Sequence, residues 1–176
     1  MRPTPQLPDQ PLPVESMTLL HEPIVETREL HWPDEAACAD FAASLARHDA
    51  LADAFIELRG ELGAGKTTFV RHLLRALGVQ GRIKSPTYAV LESYSSARLD
   101  IAHFDFYRFN DAREWHDAGF RDVFAQPGLK LVEWPQRAEA WLPTPDLRLK
   151  LKIVDAHARD VTVQAFGERG RELMRC

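Results

Sequence analysis

The run Gly60-Glu61-Leu62-Gly63-Ala64-Gly65-Lys66-Thr67 has the composition and spacing of a loop that wraps a phosphate chain. Glycines allow the backbone to approach phosphate closely and to aim several amides inward. Lys66 brings a full positive charge to the β- and γ-phosphates, and the Thr67 hydroxyl is placed to ligate magnesium. The run matches G-x-x-x-x-G-K-[ST], the P-loop pattern, without a gap. The apolar segment before it reads as a strand and the segment after it as a helix, whose N-terminal partial charge adds to the attraction for anions. The chemistry indicated is binding of a nucleoside triphosphate with Mg2+.

Such a site needs an acid at a neighbouring strand end to hold magnesium or orient water. Two are available. Asp105 ends the run Ile101-Ala102-His103-Phe104, and Glu133 ends Leu129-Lys130-Leu131-Val132. Parallel strands would deliver both to the carboxyl edge of a sheet, where ligands bind. Trp134 follows Glu133 and either packs in the core or stacks on the nucleotide. His103 is a candidate base, but a lone strand histidine reads first as a core residue. Ser85-Pro86-Thr87-Tyr88 lies where a loop could sense the γ-phosphate.

The elements that must position these residues follow from periodicity. Strands are expected at Glu26 to Trp32, Ala54 to Leu58, Tyr88 to Tyr94, Leu99 to Tyr107 and Leu129 to Glu133. Leu147 to Val154 and Asp160 to Phe166 alternate strongly and read as an antiparallel pair turning at Asp155 to Arg159. Asp34 is placed to cap a helix running to about Arg47. Lys66 to Leu77 forms the next helix, closed by Gly78. Asp111 to Phe124 carries short helical segments broken at Gly119, and Glu168 to Met174 is a last helix. The alternation implies an α/β, three-layer, P-loop NTPase-like fold, with a mainly parallel central sheet and antiparallel C-terminal strands.

Six of the twelve prolines fall in the first 23 residues. Residues 1–25 therefore read as a proline-rich flexible tail, and 26–176 as the P-loop domain. Met17 is a possible start. At 176 residues and 45% hydrophobic the chain suits one folded domain with a real core. Its net charge of -4 and pI near 6.0 argue against direct grip on nucleic acid, which needs a basic face. Two cysteines, Cys38 and Cys176, without CxxC spacing exclude a zinc or disulfide framework and fit the cytoplasm. No apolar run reaches the ~20 residues of a bilayer span.

Five segments in order resemble the bacterial tRNA threonylcarbamoyladenosine biosynthesis ATPase family, TsaE. They are Gly60 to Thr68, Lys84-Ser85-Pro86-Thr87-Tyr88, His103-Phe104-Asp105-Phe106-Tyr107-Arg108, the Glu114 to Asp122 region, and Leu131-Val132-Glu133-Trp134-Pro135. Glu61 stands where the family often has aspartate. The resemblance implies a small Mg-dependent ATPase, weak alone, that works with two partners, TsaD and TsaB. Those partners install threonylcarbamoyl on adenosine 37 of tRNAs reading codons that begin with adenine. The ATPase touches tRNA only through the complex. The catalytic set implied is Lys66, Asp105 and Glu133. Thr67, Glu133 and Asp105 face the metal. Gly60, Gly63, Ala64, Gly65, Thr68, Trp134, Arg159 and Glu35 approach the nucleotide, and Ser85 and Thr87 form the switch-like loop.

Other readings stay open at this level. A small-molecule P-loop kinase needs an arginine-rich lid, yet Arg108, Arg113, Arg121 and Arg137 are scattered. A GTPase needs Asn-Lys-x-Asp, which does not occur. A non-catalytic, nucleotide-gated binding module shares every motif above.

Overall fold

The computed structural model describes residues 23–110 and 112–175. Residues 1–22, which make up nearly all of the expected tail, lie outside the described residues, as does Cys176.

Among the described residues seven strands form one sheet. They are β1 (Ile24–Trp32), β2 (Phe55–Arg59), β3 (Leu91–Ser95), β4 (Asp100–Asp105), β5 (Leu129–Glu133), β6 (Leu147–Ile153) and β7 (Arg159–Phe166). The order across the sheet is β1-β7-β6-β2-β5-β4-β3. The centre, β6-β2-β5-β4, is parallel. β7 runs antiparallel to β6 and β1, and β3 antiparallel to β4. Both faces of the centre are covered, so β5 is buried at every position, as a continuous apolar strand requires.

Alternation along the strands splits the core in two. Ile56, Leu58, Ile101, Leu129, Leu131, Leu147 and Leu149 join the cluster under helices α1 (Glu35–Leu45) and α2 (Lys66–Ala76). Phe55, Phe104 and Val132 join an aromatic cluster on the other face, under α3 (Ala112–Asp117) and α4 (Phe120–Ala125). A final helix, α5 (Gly167–Leu173), sends Leu173 into the first cluster.

Local chemistry sets the helix ends. The Asp34 carboxylate accepts from the Ala37 amide at 3.0 Å and starts α1, which stops at Leu45 rather than running to Arg47. In α2, Phe69, Val70, Leu73 and Leu74 make one buried face. Gly78, at φ 86, ends it: the Gly78 amide donates to Arg75 O and the Val79 amide to Leu74 O, both at 3.0 Å.

The largest departure from the periodicity is at the start of β3. Residues 87–89 form a turn, closed by the Val90 amide donating to Pro86 O, and Val90 itself takes a left-handed φ of 66. The strand begins only at Leu91. This turn folds the Ser85–Thr87 loop back against the end of β4.

Leu73 is fully buried between α2 and the sheet. Leu73→Ala is expected to destabilise the fold by about 2–5 kcal/mol, read from urea unfolding followed by circular dichroism.

Candidate nucleotide site

The strand registers build the site. Leu58 on β2 pairs with Glu133 on β5, and Glu133 with Asp105 on β4. All three strands are parallel, so they end together at one sheet edge. Asp105 and Glu133, as register partners, leave the sheet side by side on the face covered by α2. The loop Gly60 to Gly65 leaves β2 at that edge and leads into α2.

Glycine is required here by conformation and by space. Gly60, Gly63 and Gly65 have φ of 152, 81 and 102. A Cβ at Gly60 would stand 2.6 Å from Leu151 O, so the loop backbone rests on β6. Arg159, at the start of β7, braces it from the side. Its Nε donates to Ala64 O at 3.0 Å and its Nη2 to Gly63 O at 3.2 Å. In a trans peptide the carbonyl and amide point oppositely, so this hold turns the Gly65 amide away from the guanidinium.

Thr67, in the first turn of α2, donates its hydroxyl to both Glu133 oxygens at 2.9 Å. Lys66 folds back on its own loop. Its Nζ donates to Gly60 O at 2.8 Å and Glu61 O at 2.9 Å, and lies 4.1 Å from the Trp134 ring centroid. Burial holds the Lys66 ammonium below the ordinary lysine range, while the charges of Glu133, Asp105 and Glu61 push the other way. Trp134 has a left-handed φ of 57, an unusual conformation for a large side chain and one that collects at functional sites. Its indole leans on Tyr107, with ring centroids 5.0 Å apart.

Asp105 is enclosed by the turn before β3. Thr87 Oγ1 donates to its Oδ2 at 2.7 Å and Ser85 Oγ at 3.3 Å, while the Tyr107 amide donates to Oδ1 at 2.9 Å.

A cleft of about 330 Å³ gathers Gly63, Gly65, Lys66, Thr67, Thr68, Ser85, Thr87, Asp105, Glu133 and Trp134. A second cleft, of about 180 Å³, opens on the other side of the same loop and takes in Glu35, Ala64 and Arg159. Gly63, Gly65 and Thr68 line both. Gly60 supplies a carbonyl to Lys66. Glu35 accepts from His72 Nε2 at 2.8 Å. The expected residues thus fall on two faces of one loop. Tyr107 belongs to the first cleft and carried no role in the sequence reading. Its place two residues beyond Asp105 was the available signal.

The oxygen donors Thr67 Oγ1, Glu133 and Asp105 fit a hard cation. Among the described residues no three His, Cys, Asp or Glu side chains form a metal cage.

Fold and site together define a P-loop-type α/β protein. Comparison narrows this. The model of the family "Threonylcarbamoyl adenosine biosynthesis protein TsaE" matches residues 32–161. The tRNA threonylcarbamoyladenosine biosynthesis protein TsaE of Haemophilus influenzae is 38% identical over 119 residues, covering 68% of this chain and 75% of that protein. Its counterpart in Bacillus subtilis is 33% identical over 147 residues, covering 81% and 89%. The crystal structure of YdiB from Bacillus subtilis superposes with a TM-score of 0.67 at 27% identity, over 85% of this chain and 92% of that one. The chain belongs to the TsaE family, and its role lies in threonylcarbamoyl adenosine biosynthesis.

No described helix is long and apolar enough to cross a membrane.

Cys38 lines the second cleft from α1. Burial and the nearby Glu35 charge push its thiol up to about 12. Only the thiolate is nucleophilic, so at pH 8 Cys38 is expected to alkylate about tenfold or more slowly in the native protein than in the unfolded chain. Peptide mapping after iodoacetamide treatment measures this separately from Cys176.

Proposed function

We propose that the chain binds ATP with Mg2+ at the first cleft, hydrolyses it, and so serves the threonylcarbamoylation of adenosine 37 in tRNA. It acts in the cytoplasm with TsaD and TsaB, which hold the tRNA and carry out the transfer. The observation that carries this reading is the Thr67 hydroxyl held by both oxygens of Glu133, with Asp105 its register neighbour and Lys66 beside them.

Thr67 and Glu133 would hold Mg2+, with Asp105 assisting the metal or a water. A bound magnesium ion neutralises phosphate charge and polarises the bond to be broken. Lys66 gives up the carbonyls of Gly60 and Glu61 to meet the phosphates. Asp105, released by Thr87 and Ser85, accepts a hydrogen bond from the attacking water. Trp134, now over Lys66, is placed to lie against the nucleotide. Glu35 and Arg159 border the loop's far side, where they approach the rest of the nucleotide. The acidic net charge is consistent with tRNA being held by partners.

Lys66→Ala is expected to abolish nucleotide binding in calorimetry, and retained affinity would refute the placement. Glu133→Ala and Asp105→Ala are expected to lower hydrolysis about tenfold or more while weakening nucleotide binding less, as loss of a transition-state contact does. Reconstitution with TsaD and TsaB, scored for complex formation and ATPase rate, tests the whole reading. Absence of stimulation would favour a passive nucleotide-gated module. Phosphate transfer to a metabolite would favour a kinase.

A further inference from the structure

His103 sits on β4 two residues before Asp105, so both side chains leave the same face of the strand. It is fully buried. Its Nε2 lies 2.9 Å from Glu133 Oε1. Its Nδ1 is buried with no hydrogen-bond partner. Around it the same face of the sheet carries Ile101, Leu129 and Leu131, all in the apolar cluster. A leucine would suit that setting. A histidine with one polar atom unsatisfied is a net cost unless its other nitrogen has a task.

Glu133 supplies the task. Its carboxylate is almost wholly buried, and its Oε1 is within hydrogen-bond distance of the His103 ring. A carboxylate only accepts hydrogen bonds, so the ring proton between them sits on Nε2. Oε1 then takes two donors, from His103 and Thr67, whereas Oε2 takes Thr67 alone. One oxygen is tied down from inside the sheet and the other keeps accepting capacity on the Thr67 side. This fixes the rotation of the carboxylate about its last bond.

We infer that His103 is a positioning residue, which orients the Glu133 carboxylate so that Oε2 and the Thr67 hydroxyl can bind one Mg2+ together. The inference rests on the magnesium reading of the site. His103 touches neither nucleotide nor metal. It stands to Glu133 as an outer-shell partner stands to a ligand, a role whose loss typically costs 10–100-fold in metal affinity.

The test compares His103→Leu, His103→Gln and His103→Asn. The Gln amide nitrogen reaches the place of Nε2, and the Asn amide only that of Nδ1. Affinity for a fluorescent ADP analogue is measured in EDTA and across a Mg2+ titration, with thermal melting alongside. H103L is expected to need about tenfold more Mg2+ for half-maximal enhancement of affinity, with metal-free affinity unchanged. H103Q is expected to restore most of the Mg2+ response, and H103N none of it. A wild-type protein that responds to Mg2+, with H103L matching its midpoint, overturns the proposal alone. A wild-type protein indifferent to Mg2+ overturns the magnesium reading and the proposal with it. If H103L does not fold, equal Mg2+ midpoints for H103Q and H103N overturn the proposal.

Discussion

Parallel pairing of β2 with β5, and of β5 with β4, is the constraint on which everything else rests. It brings three strand ends to one edge and sets Glu133 and Asp105 in register. The P-loop leaves β2 at the same edge, so Thr67 reaches Glu133 without any long side chain having to search for it. The acids are short-range partners of the loop because the backbone ladder places them there. A slip of one residue in β5 would turn Glu133 to the aromatic face and Val132 toward the loop.

The polar groups of the site satisfy one another. Thr67 is held by Glu133, Lys66 by two loop carbonyls under Trp134, and Asp105 by Thr87 and Ser85. Buried charges need such partners, and these are groups that phosphate and metal would engage. The Ser85–Thr87 turn and the end of β4 are thus tied together through Asp105. His103 differs, since its bond to Glu133 faces away from the cleft and need not be broken.

Much of this was legible in the residues. The P-loop and the antiparallel closing pair stand out by spacing alone, because glycine, lysine and alternating apolar residues have few competing uses in that order, and the two strand-end acids gain meaning from the P-loop. The turn at residues 87–89 did not stand out. Tyr88 and Val90 carry strand propensity, and the Val90 amide bonding back to Pro86 O, with Val90 left-handed, overrides it. Arg159 was placed near the nucleotide only by the family resemblance, and its hold on the carbonyls of Gly63 and Ala64 depends on tertiary register between β6 and β7. His103 looked like a core histidine, and it is one. Its bond to Glu133 crosses from β4 to β5 and leaves no local mark.

The seat of the P-loop has a consequence for how the chain comes off the ribosome. Gly60 rests on Leu151, Arg159 grips the loop from β7, and among the described residues β2 pairs only with β5 and β6. All of these partners are translated long after the loop itself. The P-loop segment is therefore translated before every strand and side chain that supports it in the fold. It gains its shape only when the C-terminal hairpin closes the sheet, a non-local order of assembly that favours slow folding. A chain that lacks the hairpin keeps the P-loop sequence but loses the contacts with Leu151 and Arg159 that support the loop.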